Sequence, residues 1–224
     1  MPHSRPEQSF IAGPVGRIEL TLTRPAGPPR GIALISHPQP LLGGSPRHIV
    51  PHTVVRRASE AGWIAVRPSF RGVGGSEGKH AEGVGETEDA RAVAAYMRGQ
   101  HPGLPLALIG FSFGAYVYAR LACALEAAGE PAHAIVLMGL PVGPVPGGRT
   151  YEAMPIPART RLLHGQDDAM APLGQLLDWG RSTRHPVMVF PGTDHFFKGC
   201  LPDVMDHIVD HLRTTADQAT PAGM

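Results

Sequence analysis

The 224 residues, 42% of them hydrophobic, suffice for one sizeable α/β core, are short for two, and do not describe a disordered chain. A formal net charge of +1 gives no global pull toward nucleic acid or anionic membrane, so a compact small molecule is the expected partner rather than a polyanion. The opening segment MPHSRPEQSFIAGPVG has no apolar run of signal-peptide length, and no stretch approaches the roughly 18 apolar residues of a membrane span. Cys123 and Cys200 make no disulfide framework; free, buried or half-buried thiols in a reducing cytoplasm are expected.

Apolar runs alternate with helical spacings along the chain, the pattern of a largely parallel sheet covered by helices. Residues 17–23 read as an early strand and GIALIS, 31–36, as a buried one; 48–62 has helical spacing and leads into the strand WIAVR, 63–67. A glycine-rich loop over 68–78 precedes a helix at 86–98. The strand at 106–110 is followed almost at once by a helix from 113 to about 128. Strands at 134–138, 161–164 and 186–190 and helices at 172–181 and 202–214 complete the series. The stretch TADQATPAGM, 215–224, reads as a frayed tail on a single domain spanning 1–224. Between 138 and 161 only about twenty residues, rich in Pro and Gly, are available, too few for a cap domain, so an open or shallow site is expected.

The run Gly110-Phe111-Ser112-Phe113-Gly114 lies between an apolar strand and a helix. A sharp strand-to-helix turn projects a serine hydroxyl above the sheet, and glycines on either side relieve the crowding. The same turn sets the Phe113 N–H at a helix N-terminus, where it can donate to an oxyanion. Ser112 needs a base to take its proton and return it to the leaving group, and a histidine oriented by a carboxylate does both. The chain order serine, acid, histidine is met by RLLHGQDDAMAP and then VMVFPGTDHFFKG. His195 follows the last strand through the turn PGTD, with Phe196 and Phe197 expected to pack against the sheet and hold its ring. Asp167 and Asp168 both offer themselves as the acid; Asp194, adjacent to the base, is badly placed to reach the far ring nitrogen.

A second oxyanion donor is expected from the loop His37-Pro38-Gln39-Pro40-Leu41-Leu42-Gly43-Gly44. Its two prolines have no N–H, which leaves Gln39 or Leu41, with Gln39 preferred. The run FRGVGGSEG lacks the spacing of a nucleotide-binding loop and reads as a surface turn near the site, with Arg71 in a structural ion pair. His48/His52 and His207/His211 share i, i+4 spacing, but no HExxH or Cys/His cluster accompanies them, so solvated or capping roles are expected, with no metal and no cofactor.

On SHPQPLLGG, RPSFRGVGGSEG, GFSFG, HGQDDAMAP and GTDHFF, spread over nearly the whole chain, the sequence resembles the α/β-hydrolase superfamily, and within it a group of small bacterial serine hydrolases without a lid. The resemblance implies an α/β-hydrolase fold with a mostly parallel central sheet, flanking helices and no separate cap. It also implies Asp168 as the acid, because the family's HGxxDxxVP loop, aligned on His164-Gly165 and Pro172, sets its aspartate there. Two positions depart from the family: the oxyanion loop has His-Pro in place of His-Gly, and Ala171 stands where valine is common. The implied activity is hydrolysis of small to medium carboxylic esters through an acyl-enzyme. Amide or thioester cleavage or acyl transfer by the same residues, and a non-catalytic binding protein on this fold, stay open as alternatives, as does self-association.

Overall fold

The computed structural model describes residues 5–219. The chain opens with an antiparallel hairpin, β1 (Glu7–Gly13) and β2 (Gly16–Thr23), and continues through β3 (Gly31–Ile35), α1 (Ile49–Glu60), β4 (Trp63–Pro68) and α2 (Val84–Gln100). Next come β5 (Leu106–Phe111), α3 (Phe113–Ala127), β6 (Ala134–Met138), a small hairpin of β7 (Gly143–Val145) and β8 (Arg149–Tyr151), and β9 (Thr160–Gly165). Helix α4 (Leu173–Thr183), β10 (Val187–Phe190) and α5 (Leu201–Ala219) finish the order. Eight strands form one sheet in the order β1-β2-β4-β3-β5-β6-β9-β10. β2 is antiparallel to both β1 and β4, and every other pairing in that sheet is parallel.

The central strands are continuous apolar runs because both faces are covered. Along β5, Leu106 and Leu108 meet Val93 and Met97 of α2 and Leu121 and Leu125 of α3, while Ala107 and Ile109 face the opposite core. In that second core Val54 and Ala58 of α1 join Val204, Ile208 and Leu212 of α5, a helical spacing read directly off the sequence. Parallel connections bring the loops after β3, β5, β9 and β10 to the carboxyl edge of the sheet, where open α/β sheets place their sites.

One sequence expectation is corrected, and two elements appear that the sequence did not indicate. The early strand expected at 17–23 is β2, and a strand the sequence did not indicate, β1, precedes it: only Ile11 of its seven residues is buried, so it carries almost no alternation signal. Residues 215–219 are not frayed but continue α5, because Thr215 and Ala216 are buried and the Thr215 hydroxyl donates to His211 O at 2.8 Å; the remainder of the expected tail, 220–224, lies outside the described residues. The segment between β6 and β9 holds no cap domain, as expected, and carries a hairpin. β7 and β8 pair across Gly143–Tyr151 and Val145–Arg149, and Gln175 of α4 donates to Pro144 O at 2.6 Å.

The glycine-rich loop after β4 is anchored rather than free. Arg71 grips Asp89 of α2 with Nε and Nη2 at 2.7 and 2.8 Å and donates to Gly85 O at 2.6 Å. Both partners are buried, and the bidentate geometry satisfies both carboxylate oxygens. Removing one member leaves a buried charge uncompensated, which costs about 3 kcal/mol. Asp89→Ala is therefore expected to lower unfolding free energy by about 3 kcal/mol in urea denaturation, and a loss below about 1 kcal/mol would count against a buried pair.

Candidate active site

Ser112 follows β5 directly and caps α3 in a conformation of φ 58° and ψ −127°, in the left-handed half of the map where non-glycine residues are rare. Its amide donates to Met138 O at 2.9 Å and its carbonyl accepts from Ala115 and Tyr116, so β6 holds it on one side and the first turn of α3 on the other. The turn brings backbones into contact. A Cβ on Gly110 would lie 2.6 Å from Ala115 Cα, and one on Gly114 would lie 2.2 Å from Ser36 Oγ and 2.6 Å from His37 O. Both glycines of the motif are thus required by close approach, not by chain flexibility.

His195 comes from the loop after β10. Asp194 shapes that loop by accepting from the amides of Phe196 and Lys198 at 3.0 and 3.1 Å, a structural duty that takes it away from the imidazole. His195 Nε2 lies 2.8 Å from Ser112 Oγ, and its Nδ1 lies 2.6 Å from Asp168 Oδ2. An ionised carboxylate only accepts, so the proton sits on Nδ1 and Nε2 is left to accept from the hydroxyl. The Phe111 and Phe196 rings flank the imidazole at 5.1 and 5.3 Å. Phe197 packs against the sheet as expected, fully buried on Phe190 of β10, while the contact with the imidazole ring comes from Phe196.

Asp168 is buried, and Oδ1 accepts from the Met170 and Ala171 amides at 2.9 and 2.7 Å, fixing the carboxylate plane. Burial works to raise its pKa, but the His195 hydrogen bond and charge, the Ala171 amide and His164 outweigh it and hold it below the usual range. Asp167 is exposed, and it ties the two loops together through its amide, which donates to Thr193 O at 3.0 Å. Beneath Asp168, the fully buried His164 donates from Nε2 to Ala171 O at 2.8 Å, and burial lowers its pKa. The structure therefore brings Ser112, His195 and Asp168 into one hydrogen-bonded chain and leaves Asp167 and Asp194 outside it.

In the loop after β3, Leu41 is largely exposed and its amide donates to Gln39 Oε1 at 3.4 Å. Among the described residues, the amides of Gln39 and Phe113 have no acceptor within the chain, and both residues line one cleft of about 330 Å³. Leu41, His80, Arg149 and Tyr151 form its other walls, so the β7–β8 hairpin supplies a side of the cleft where a lid would otherwise stand.

Sequence reasoning missed two histidines that hold this region. His37 lies buried between the oxyanion loop and the loop after β4, donating from Nδ1 to Pro38 O at 2.9 Å and accepting the Phe70 amide on Nε2 at 3.0 Å. Burial pushes its pKa down to about 4. His48 caps α1 by accepting the Val50 amide, and its ring stacks on Phe111 and Phe196 beside His195. Its capping role matches the sequence expectation, but nothing in the sequence placed it next to the base.

No family model matches the chain. It is 30% identical over 215 residues to the uncharacterized protein RP471 of Rickettsia prowazekii, covering 92% of this chain and 89% of that one. The crystal structure of XC6422 from Xanthomonas campestris, a serine hydrolase without a lid, superposes with a TM-score of 0.81 at 30% identity, covering 100% of this chain and 99% of that one. An α/β serine hydrolase homologue from Coxiella burnetii gives 0.77 at 32%, covering 91% and 96%. The chain belongs to the α/β serine hydrolases that lack a lid. No helix among the described residues is long and apolar enough to cross a membrane, and no group of three or more His, Cys, Asp or Glu is arranged to hold a metal ion.

The neutral, buried His37 makes stability depend on pH in a known direction. Its folded pKa, about 4, lies below the ordinary 6.5, so between those values the unfolded chain binds the extra proton. Its stabilisation is complete above pH 6.5 and is lost as pH falls toward 4, on the order of 3 kcal/mol in all. His37→Gln, whose oxygen can still accept the Phe70 amide, is expected to flatten the fall in Tm over that window. An unchanged slope would assign the acid sensitivity to other groups.

Proposed function

We propose that the protein hydrolyses carboxylic esters of small to medium acyl groups through an acyl-enzyme, with Ser112 as nucleophile, His195 as general base and acid, and Asp168 as the orienting carboxylate. The observation that carries this reading is the continuous Ser112–His195–Asp168 hydrogen-bond chain of 2.8 and 2.6 Å, set at the carboxyl edge of the sheet. Ser112 Oγ attacks the ester carbonyl carbon as its proton passes to His195 Nε2. The carbonyl oxygen becomes an oxyanion held by the Phe113 and Gln39 amides. His195 then protonates the departing alkoxide, the C–O bond breaks, and water repeats the sequence to release the acid. Asp168 stays ionised throughout and stabilises the imidazolium. The scheme uses no cofactor.

A cleft of about 330 Å³ suits a compact acyl group, and Phe113, Leu41 and Tyr151 supply apolar contact. The same reading keeps the protein in the cytoplasm, where the half-buried Cys123 and Cys200 stay reduced. A fluorophosphonate probe should label the wild type and neither Ser112→Ala nor His195→Ala; an unlabelled wild type would contradict the assignment. With p-nitrophenyl esters of rising chain length, Asp168→Asn is expected to lose roughly 10³- to 10⁴-fold in kcat. Asp167→Asn should stay within about threefold of wild type, and the reverse order would transfer the role to Asp167.

A further inference from the structure

A second cavity, of about 540 Å³, lies at the antiparallel end of the sheet and shares no lining residue with the first cleft. Its floor is one cross-strand row: Gln8 of β1 pairs with Thr21 of β2, and Thr21 pairs with Arg67 of β4. Paired residues project from the same face of a sheet, so these three side chains leave it together, while Leu22 and Val66 turn to the opposite face and the core. Ser45 and Arg47, from the loop ahead of α1, form a wall.

Arg67 is the anomaly here. Its exposure is 8%, the same as that of Arg71, which is paired with Asp89. Arg67 has no such partner: among the described residues no carboxylate lies within ion-pair distance, Nη1 donates to Pro46 O at 2.7 Å, and Nε is buried without an acceptor. Burial and the neighbouring Arg47 both work against its charge. Glu19 borders the cavity, but its oxygens are engaged by the Gly75 amide, the Ser69 hydroxyl and the Gln8 amide. A buried guanidinium left with unused donors, beside a second guanidinium and a roomy cavity, is a binding site for negative charge.

We propose that this cavity binds a small ligand through an oxyanion group, a phosphate ester or a carboxylate, held by the Arg67 and Arg47 guanidinium groups with the Thr21 and Ser45 hydroxyls as further donors. The volume leaves room for the body of a small molecule beyond the anionic group.

Calorimetric titration of the full chain with inorganic phosphate and, separately, succinate, at ionic strength held constant with sodium chloride, tests the site. One-site binding is expected for at least one of them, and which one binds distinguishes the phosphate class from the carboxylate class. Arg67→Gln should weaken that binding by roughly tenfold or more, as loss of a charge-assisted hydrogen bond does. Arg47 is exposed, so Arg47→Gln folds whether or not Arg67→Gln does, and should weaken it severalfold. Absence of binding by either anion at 10 mM (roughly, the weak limit for a built site) would overturn the proposal and leave Arg67 as a strut for Pro46. So would unchanged affinity in both variants, or loss of binding only in Arg149→Gln, which belongs to the other cleft.

Discussion

Ser112 is held at φ 58° by a backbone that has no room to relax, and the rest of the site is arranged around that constraint. Such a conformation costs an L-residue of order 1–3 kcal/mol and persists only where neighbouring structure over-determines it. Here β5 and β6 fix the residue from below, α3 begins on its carbonyl, and Gly114 lets the helix sit against the backbone of the oxyanion loop. The strained turn projects the hydroxyl to His195 and leaves the Phe113 amide without an acceptor among the described residues. The proposed nucleophile and oxyanion donor are therefore products of one backbone geometry.

The remaining groups are fixed by hydrogen bonds from buried main chain rather than by side-chain packing alone. Asp168 takes two amides on one oxygen and keeps the other for His195. His37 bonds main chain on both sides of its ring and clamps the proline-bearing oxyanion loop to Phe70. In the family's more usual His-Gly loop a glycine amide follows the histidine; here Pro38 offers none, and the first amide after it belongs to Gln39. Among the described residues that amide has no acceptor and lines the cleft, as the proposed oxyanion role requires. With no cap, the cleft is walled by the β7–β8 hairpin, so access is governed by a short element fastened to α4 through Gln175.

Much of this was legible in the sequence because the strongly patterned elements are those that set the site. The runs LALIGF, AIVLM and TRLLHG are buried on both faces, and the loops that follow such strands are where functional residues collect. β1 escaped notice because its residues are mostly exposed, and the β7–β8 hairpin because three-residue strands among prolines and glycines carry no period. The choice between adjacent aspartates rested on a loop alignment; in three dimensions burial and two amides set Asp168 apart from the exposed Asp167. Contacts between distant segments, such as His37 with Phe70 or His48 beside His195, leave no local signature and could only be seen in the fold.

The proposed mechanism requires that Ser112 become covalently acylated. Intact-protein mass spectrometry after acid quench during turnover of p-nitrophenyl acetate tests it most directly. A single acetyl adduct that maps to Ser112 and is absent from Ser112→Ala is expected. Turnover with no adduct in rapidly quenched samples, or with the acetyl group on another residue while Ser112→Ala stays active, would contradict it.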